Sequence, residues 1–120
     1  MKLGVTTDFS AAHALSLHPG KCQNLHGHTY KVDIVVQGAK KENIECVADF
    51  ADVKAVIEDV IGLVDHTYLN EVISYPTSEN IALFLKVELE KRLNDSNLGV
   101  TLHSIRIWEG KDKWVMVESD

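Results

Sequence analysis

The chain of 120 residues is 45% hydrophobic and 25% charged, with a net charge of −6. That is enough apolar material for one core in a single 1–120 domain, and too little positive charge for a general nucleic-acid binder. No apolar run reaches membrane-spanning length and the N-terminus lacks the basic start and apolar stretch of a signal peptide, so a cytoplasmic protein with no membrane partner is expected.

Residues 3–15 are extended in character, with Phe9, Ala11, His13 and Leu15 sharing one parity. From Thr29 to Gln37 strict alternation predicts a strand, with Tyr30, Val32, Ile34 and Val36 on one face and Val35 the one exception. A polar turn over residues 38–43 follows. The period then lengthens: Val53, Val56, Ile57, Val60 and Val64 recur at helical spacing, with Asp52, Lys54, Glu58 and Asp59 outward. Thr77 or Ser78 caps a second helix with Glu79 in its first turn, and Ile81, Phe84, Leu85 and Leu89 form its stripe. Two strands close the chain, from about Val100 to Glu109 and from Lys113 to Glu118. The order ββααββ predicts an α+β fold, an antiparallel sheet with two helices on one face. The other face then needs water, a ligand or a second subunit.

Chemistry concentrates in "CQNLHGHTYKV", residues 22–32. His26 and His28 lie two apart at a strand start, so their imidazoles project to one side, and Gly27 between them permits close backbone approach. His13, on a neighbouring strand, brings a third imidazole. Three neutral imidazoles suit zinc with one coordination position left open. Cys22, in a loop beside Lys21 and near this cluster, is a thiolate nucleophile, a base or a fourth ligand. Cys46 lies among apolar residues and reads as inert packing; neither cysteine is expected in a disulfide. In "VDHTYLN" (64–70), Asp65 directly precedes His66: either the carboxylate fixes the tautomer of the imidazole for proton transfer, or Asp65 caps backbone N–H groups in a turn. Glu109 shares the parity of Ile105 and Ile107, so on a buried face its carboxylate needs a partner, such as a ligand with two parallel N–H donors.

"FSAAH" (9–13), "CQNLHGHTYKV" (22–32), "ADFADVK" (48–54), "VDHTYLN" (64–70), "PTSEN" (76–80) and a late strand ending in Glu109 together resemble, in order, the 6-pyruvoyl-tetrahydropterin synthase family. The resemblance implies a tunnelling fold whose sheets join into a barrel in a homo-oligomer, a trimer or a hexamer formed as a dimer of trimers. It implies Zn2+ on His13, His26 and His28, Cys22 as the proton-abstracting thiolate, and His66, oriented by Asp65, as a proton shuttle supplied across a subunit interface. Glu109 would anchor the pterin, and Thr77, Ser78 and Glu79 would line its pocket. The three-residue gap between Cys22 and His26 resembles the branch that converts the small-molecule substrate 7,8-dihydroneopterin triphosphate to 6-carboxy-5,6,7,8-tetrahydropterin, acetaldehyde and triphosphate, on the route to queuosine. The alternatives are the pyruvoyl product, without side-chain cleavage, or a pterin-binding relative without turnover. For the triphosphate, Lys21, Lys31 and Lys54 are candidates by charge alone.

Overall fold

Strand β1 (Lys2–His13) and strand β2 (His26–Gln37) pair antiparallel along their whole length, Lys2 opposite Gln37 and His13 opposite His26, in a computed structural model describing residues 1–120. Residues directly opposite in such a ladder project to the same face. Val5, Phe9, Ala11 and His13 therefore stand beside Ile34, Tyr30, His28 and His26. The alternation predicted from Thr29 begins three residues earlier, which carries both histidines into the ladder.

After β2 come helix α1 (Phe50–Ile61), helix α2 (Ser78–Asp95), strand β3 (Thr101–Glu109) and strand β4 (Lys113–Glu118). The sheet order is β1-β2-β3-β4, antiparallel throughout. The inward residues of β1, β2 and β3 form one core with Val53, Ile57, Val60 and Ile61 of α1 and Ile81, Ala82, Leu85, Leu89 and Leu93 of α2. Both helices thus cover a single face, as the change of period predicts. Asp49 caps α1 by accepting the Ala51 N–H at 2.8 Å. Val64, part of the predicted stripe, lies beyond the helix end but stays fully buried in the turn that follows.

One register detail departs from simple alternation. Val35 faces Ser104 while Val36 faces Leu102, so His103 is an extra residue bulged out of β3. A single inserted residue reverses the parity. His103 consequently loses the phase of Ile105 and Ile107, and Leu102 returns to the core. Beyond the bulge the phase is unbroken, and Glu109 faces inward opposite Tyr30.

The face away from the helices is polar and aromatic. Asp33 accepts from Trp108 Nε1 and from Thr6 Oγ1, each at 2.8 Å. Burial alone would raise its pKa. Those two hydrogen bonds, with Lys31 and Arg106 nearby, outweigh burial and hold the carboxyl below its ordinary value. No helix is long and apolar enough to cross a membrane.

Between the strands and helices, loops are tied to β1. Asn70 brackets Ala14, its Oδ1 accepting the Ala14 N–H at 3.0 Å and its Nδ2 donating to the Ala14 carbonyl at 2.9 Å. The Leu15 N–H donates to the Cys22 carbonyl at 2.8 Å, which folds the 14–25 loop back on itself beside the strand ends.

Candidate active site

His13, His26 and His28 meet at the end of the β1–β2 ladder, each offering a ring nitrogen within 4.8 Å of the others. The outer nitrogens are already committed. His13 Nδ1 lies 2.7 Å from the Pro76 carbonyl oxygen, and His26 Nδ1 lies 2.7 Å from that of Asn24. A carbonyl only accepts, so both Nδ1 atoms carry the proton and both Nε2 atoms present lone pairs. Those Nε2 atoms face each other at 2.9 Å. Two lone pairs held so close repel unless a cation or a shared proton stands between them.

His28 Nε2 is buried and makes no hydrogen bond; its nearest acid is Glu109 Oε1 at 3.4 Å. Burial lowers the His28 pKa, and the charge of Glu109 opposes this without reversing it. His28 is therefore neutral at pH 7, the form that binds metal. Tyr30 floors the cluster. It is fully buried and stacked on Phe9 with ring centres 4.8 Å apart, and its hydroxyl lies 3.4 Å from each His13 nitrogen. Burial, and then the Glu109 charge, push the phenol pKa well up, so Tyr30 stays protonated. Three imidazole nitrogens, two with their second nitrogens oriented by backbone carbonyls, form a donor set that fits a divalent first-row metal.

A cleft of about 340 Å³ is lined by Cys22, Ser78, Glu79 and Glu109, together with His18 and Lys113. Ser78, the first residue of α2, donates through Oγ to Glu109 Oε2 at 2.7 Å. This gives the inward-facing carboxylate the partner that its parity requires. Thr77 sits just before the helix, and its hydroxyl oxygen accepts the Asn80 N–H at 3.1 Å. Its side chain is thus spent on the cap that fixes where Ser78 and Glu79 point.

Asp65 and His66 pair as adjacent residues, with His66 Nδ1 3.0 Å from Asp65 Oδ1. The same oxygen accepts the Ser10 N–H at 3.0 Å. That bond, and then the contact with His66, hold the Asp65 carboxyl below its ordinary value. His66 adopts φ +57, a left-handed conformation uncommon outside glycine, and its own N–H donates to the Ser10 carbonyl. The imidazole is 83% exposed and opens on a shallow depression lined by Ser10, Ala12, Gly27 and Thr29 of the sheet face opposite the histidine cluster, and bordered by Ala11 and His28 of the cluster's own face. Within one protomer, His66 and Cys22 thus line separate depressions.

Three residues of this region carry no role in the sequence reading. Tyr30 has the parity of His26 and His28, so its place beneath them was available from the alternation. Lys113 pairs with Glu109 across the β3–β4 hairpin, and the hairpin register is the signal that would have found it. His18 arrives through an irregular loop that no periodicity describes. Of the lysines singled out by charge, Lys31 stands 5.1 Å over the Trp108 ring on the outer face. Cys46 is half-buried, its carbonyl accepting from the Lys41 N–H.

The family described as 6-pyruvoyl tetrahydropterin synthase matches residues 2–120. A protein of Archaeoglobus fulgidus, provisionally described as a 6-carboxy-5,6,7,8-tetrahydropterin synthase, is 41% identical over 117 residues, covering 98% of this chain and 95% of its own. The dihydroneopterin monophosphate aldolase of Pyrococcus furiosus is 36% identical over 110 residues, covering 92% and 90%. Among solved structures, the 6-pyruvoyl tetrahydropterin synthase of Caenorhabditis elegans superposes with a TM-score of 0.87 at 24% identity, over 100% of this chain and 96% of that one. At that identity the superposition speaks for the tunnelling fold alone.

Proposed function

The chain belongs to the 6-pyruvoyl tetrahydropterin synthase family, and within it we propose that it converts 7,8-dihydroneopterin triphosphate and one water to 6-carboxy-5,6,7,8-tetrahydropterin, releasing acetaldehyde and triphosphate. The observation that carries this reading is the convergence of three buried-side imidazole nitrogens beside a cleft that holds a thiol and an inward carboxylate. The relative at 41% identity supports the carboxy product.

In this reading His13, His26 and His28 hold Zn2+, which supplies Lewis acidity toward the side-chain hydroxyls of the substrate. Glu109 accepts the paired N–H donors of the pterin's amino-pyrimidine edge, a bidentate contact that fixes the ring. Ser78 orients that carboxylate and Glu79 borders the ring. Cys22, as thiolate, takes the proton from the side-chain carbon next to the ring. His66, its tautomer set by Asp65, returns protons to the carbons and oxygens that need them. The exposed His66 lies in a different depression from Cys22, so a neighbouring copy would complete each site. The assembly that would supply this copy is the one the family resemblance implies, a trimeric ring or a hexamer of two rings.

The P. furiosus relative favours a second reading, aldol cleavage of dihydroneopterin monophosphate. One experiment separates them. Zinc-loaded protein is given each substrate in turn, and acetaldehyde, glycolaldehyde phosphate and the pterin product are measured together. Acetaldehyde with 6-carboxytetrahydropterin from the triphosphate is the expected result. Glycolaldehyde phosphate from the monophosphate, with the triphosphate untouched, would replace it with the aldolase reading. A diketone pterin without acetaldehyde would mean the pyruvoyl reaction.

A further inference from the structure

We propose that Lys113 reads the 4-oxo group of the pterin that Glu109 anchors, so that the two side chains together select the 2-amino-4-oxo edge. This rests on the reading above, in which the cleft holds a pterin with its amino-pyrimidine edge on Glu109.

Glu109 and Lys113 stand directly opposite each other across the β3–β4 pair. Opposite residues in an antiparallel pair are nearest neighbours on one face. Both line the cleft of about 340 Å³. Opposite charges so placed could close on each other, yet Lys113 takes part in none of the chain's ion pairs. The carboxylate turns instead toward Ser78, whose hydroxyl donates to Oε2 at 2.7 Å, and toward His28, 3.4 Å from Oε1. An anionic acceptor and a cationic donor thus lie side by side, with the donor unspent.

The other polar side chains of the cleft offer no comparable donor. Ser78 gives its proton to Glu109. His18 commits Nδ1 to the Pro19 carbonyl oxygen at 2.8 Å. Glu79, as a carboxylate, only accepts, whereas Lys113 brings three N–H bonds and a full charge.

A pterin edge presents three groups in a row: the 2-amino group, N3–H and the 4-oxo oxygen. The first two donate to the Glu109 carboxylate as a bidentate pair. The third accepts, and it falls beside that carboxylate, where the cross-strand neighbour is the Lys113 ammonium. A 2,4-diamino edge reverses the last two positions. Its unprotonated N3 meets the carboxylate, and its second amino group meets the ammonium. A site rejects a near-isostere by leaving polar groups mismatched in this way.

The test is equilibrium dialysis of the zinc-loaded full chain against 6-hydroxymethylpterin and against 2,4-diamino-6-hydroxymethylpteridine. The unsubstituted protein should bind the pterin at least about tenfold more tightly. Lys113→Met, which keeps the apolar stem, should bind the pterin about tenfold more weakly and the diamino compound no more weakly than before. Lys113→Arg should restore most of the pterin affinity, since a guanidinium also donates. Equal losses for both ligands would overturn the proposal and make Lys113 a general charge on the cleft. Unchanged affinity for both would give the 4-oxo group to backbone N–H groups at the start of α2. A loss confined to neopterin triphosphate would put the ammonium on phosphate instead. Glu109→Gln separates the two readings: a loss of pterin affinity there keeps the anchor whatever Lys113 does, and no loss removes the anchor and this proposal with it.

Discussion

Thr77→Ala separates two roles that the sequence alone assigns to one side chain. As a helix cap, Thr77 satisfies the Asn80 N–H at 3.1 Å from a β-region backbone conformation. Losing such a cap costs about 1 kcal/mol. An unfolding entropy of about 2.1 cal/mol/K per residue gives about 0.25 kcal/mol/K for a chain of this length, so Tm should fall by about 4 °C. Calorimetry at matched protein and zinc concentration reads this directly, since metal and assembly also move Tm. Thr77→Ser should recover most of the loss because its hydroxyl caps equally well. At 25 °C the KM of Thr77→Ala should stay within about twofold of the parent, since its hydroxyl faces Asn80. An unchanged Tm combined with a large rise in KM would refute the cap argument and put the hydroxyl on the substrate.

Cys22→Ala should lose at least about a hundredfold in kcat while keeping one metal per protomer, because the thiolate acts as base; metal loss measured by atomic absorption would make it a ligand. His26→Ala should lose metal and activity together, and unchanged metal content would remove it from the donor set. Asp65→Asn should lower Tm at neutral pH. Because the folded Asp65 carboxyl is held below its ordinary 3.8, its stabilisation is fully present above that value. It is lost as pH falls through the lowered folded pKa. Melting curves of parent and variant should therefore converge in acid, and a gap that widens there would contradict the Ser10 and His66 contacts.

Period and parity make most of the fold legible in the sequence. Alternation from Tyr30 to Val36 gave the central strand and its buried face, and the switch to helical spacing at Val53 marked where the helices cover it. Parity also placed His26, His28 and Glu109 on one face, because side-chain direction in a strand depends only on counting. What counting does not reveal is an insertion. The bulge at His103 inverts the phase for its neighbours and leaves no compositional trace. Nor does counting report tertiary reach. The Pro76 carbonyl that fixes His13 is 63 residues away in sequence, and the Lys113 that borders the Cys22 cleft depends on hairpin register. The pairing of Asp65 with His66 was legible because it is local. The depression on which His66 opens was not, since that follows from how the 65–68 segment docks along β1.

That separation of Cys22 from His66 is the point on which the account turns, and subunit complementation tests it most directly. Cys22→Ala and His66→Ala, each inactive alone, are unfolded together, mixed in equal amounts, refolded with zinc and assayed for acetaldehyde from 7,8-dihydroneopterin triphosphate. If neighbouring copies build each site, about a quarter of the sites in randomly mixed rings combine an intact Cys22 with an intact His66, and activity returns in that proportion. If mixed assemblies form and remain inactive, both residues act within one protomer, and the division of the site across an interface is wrong.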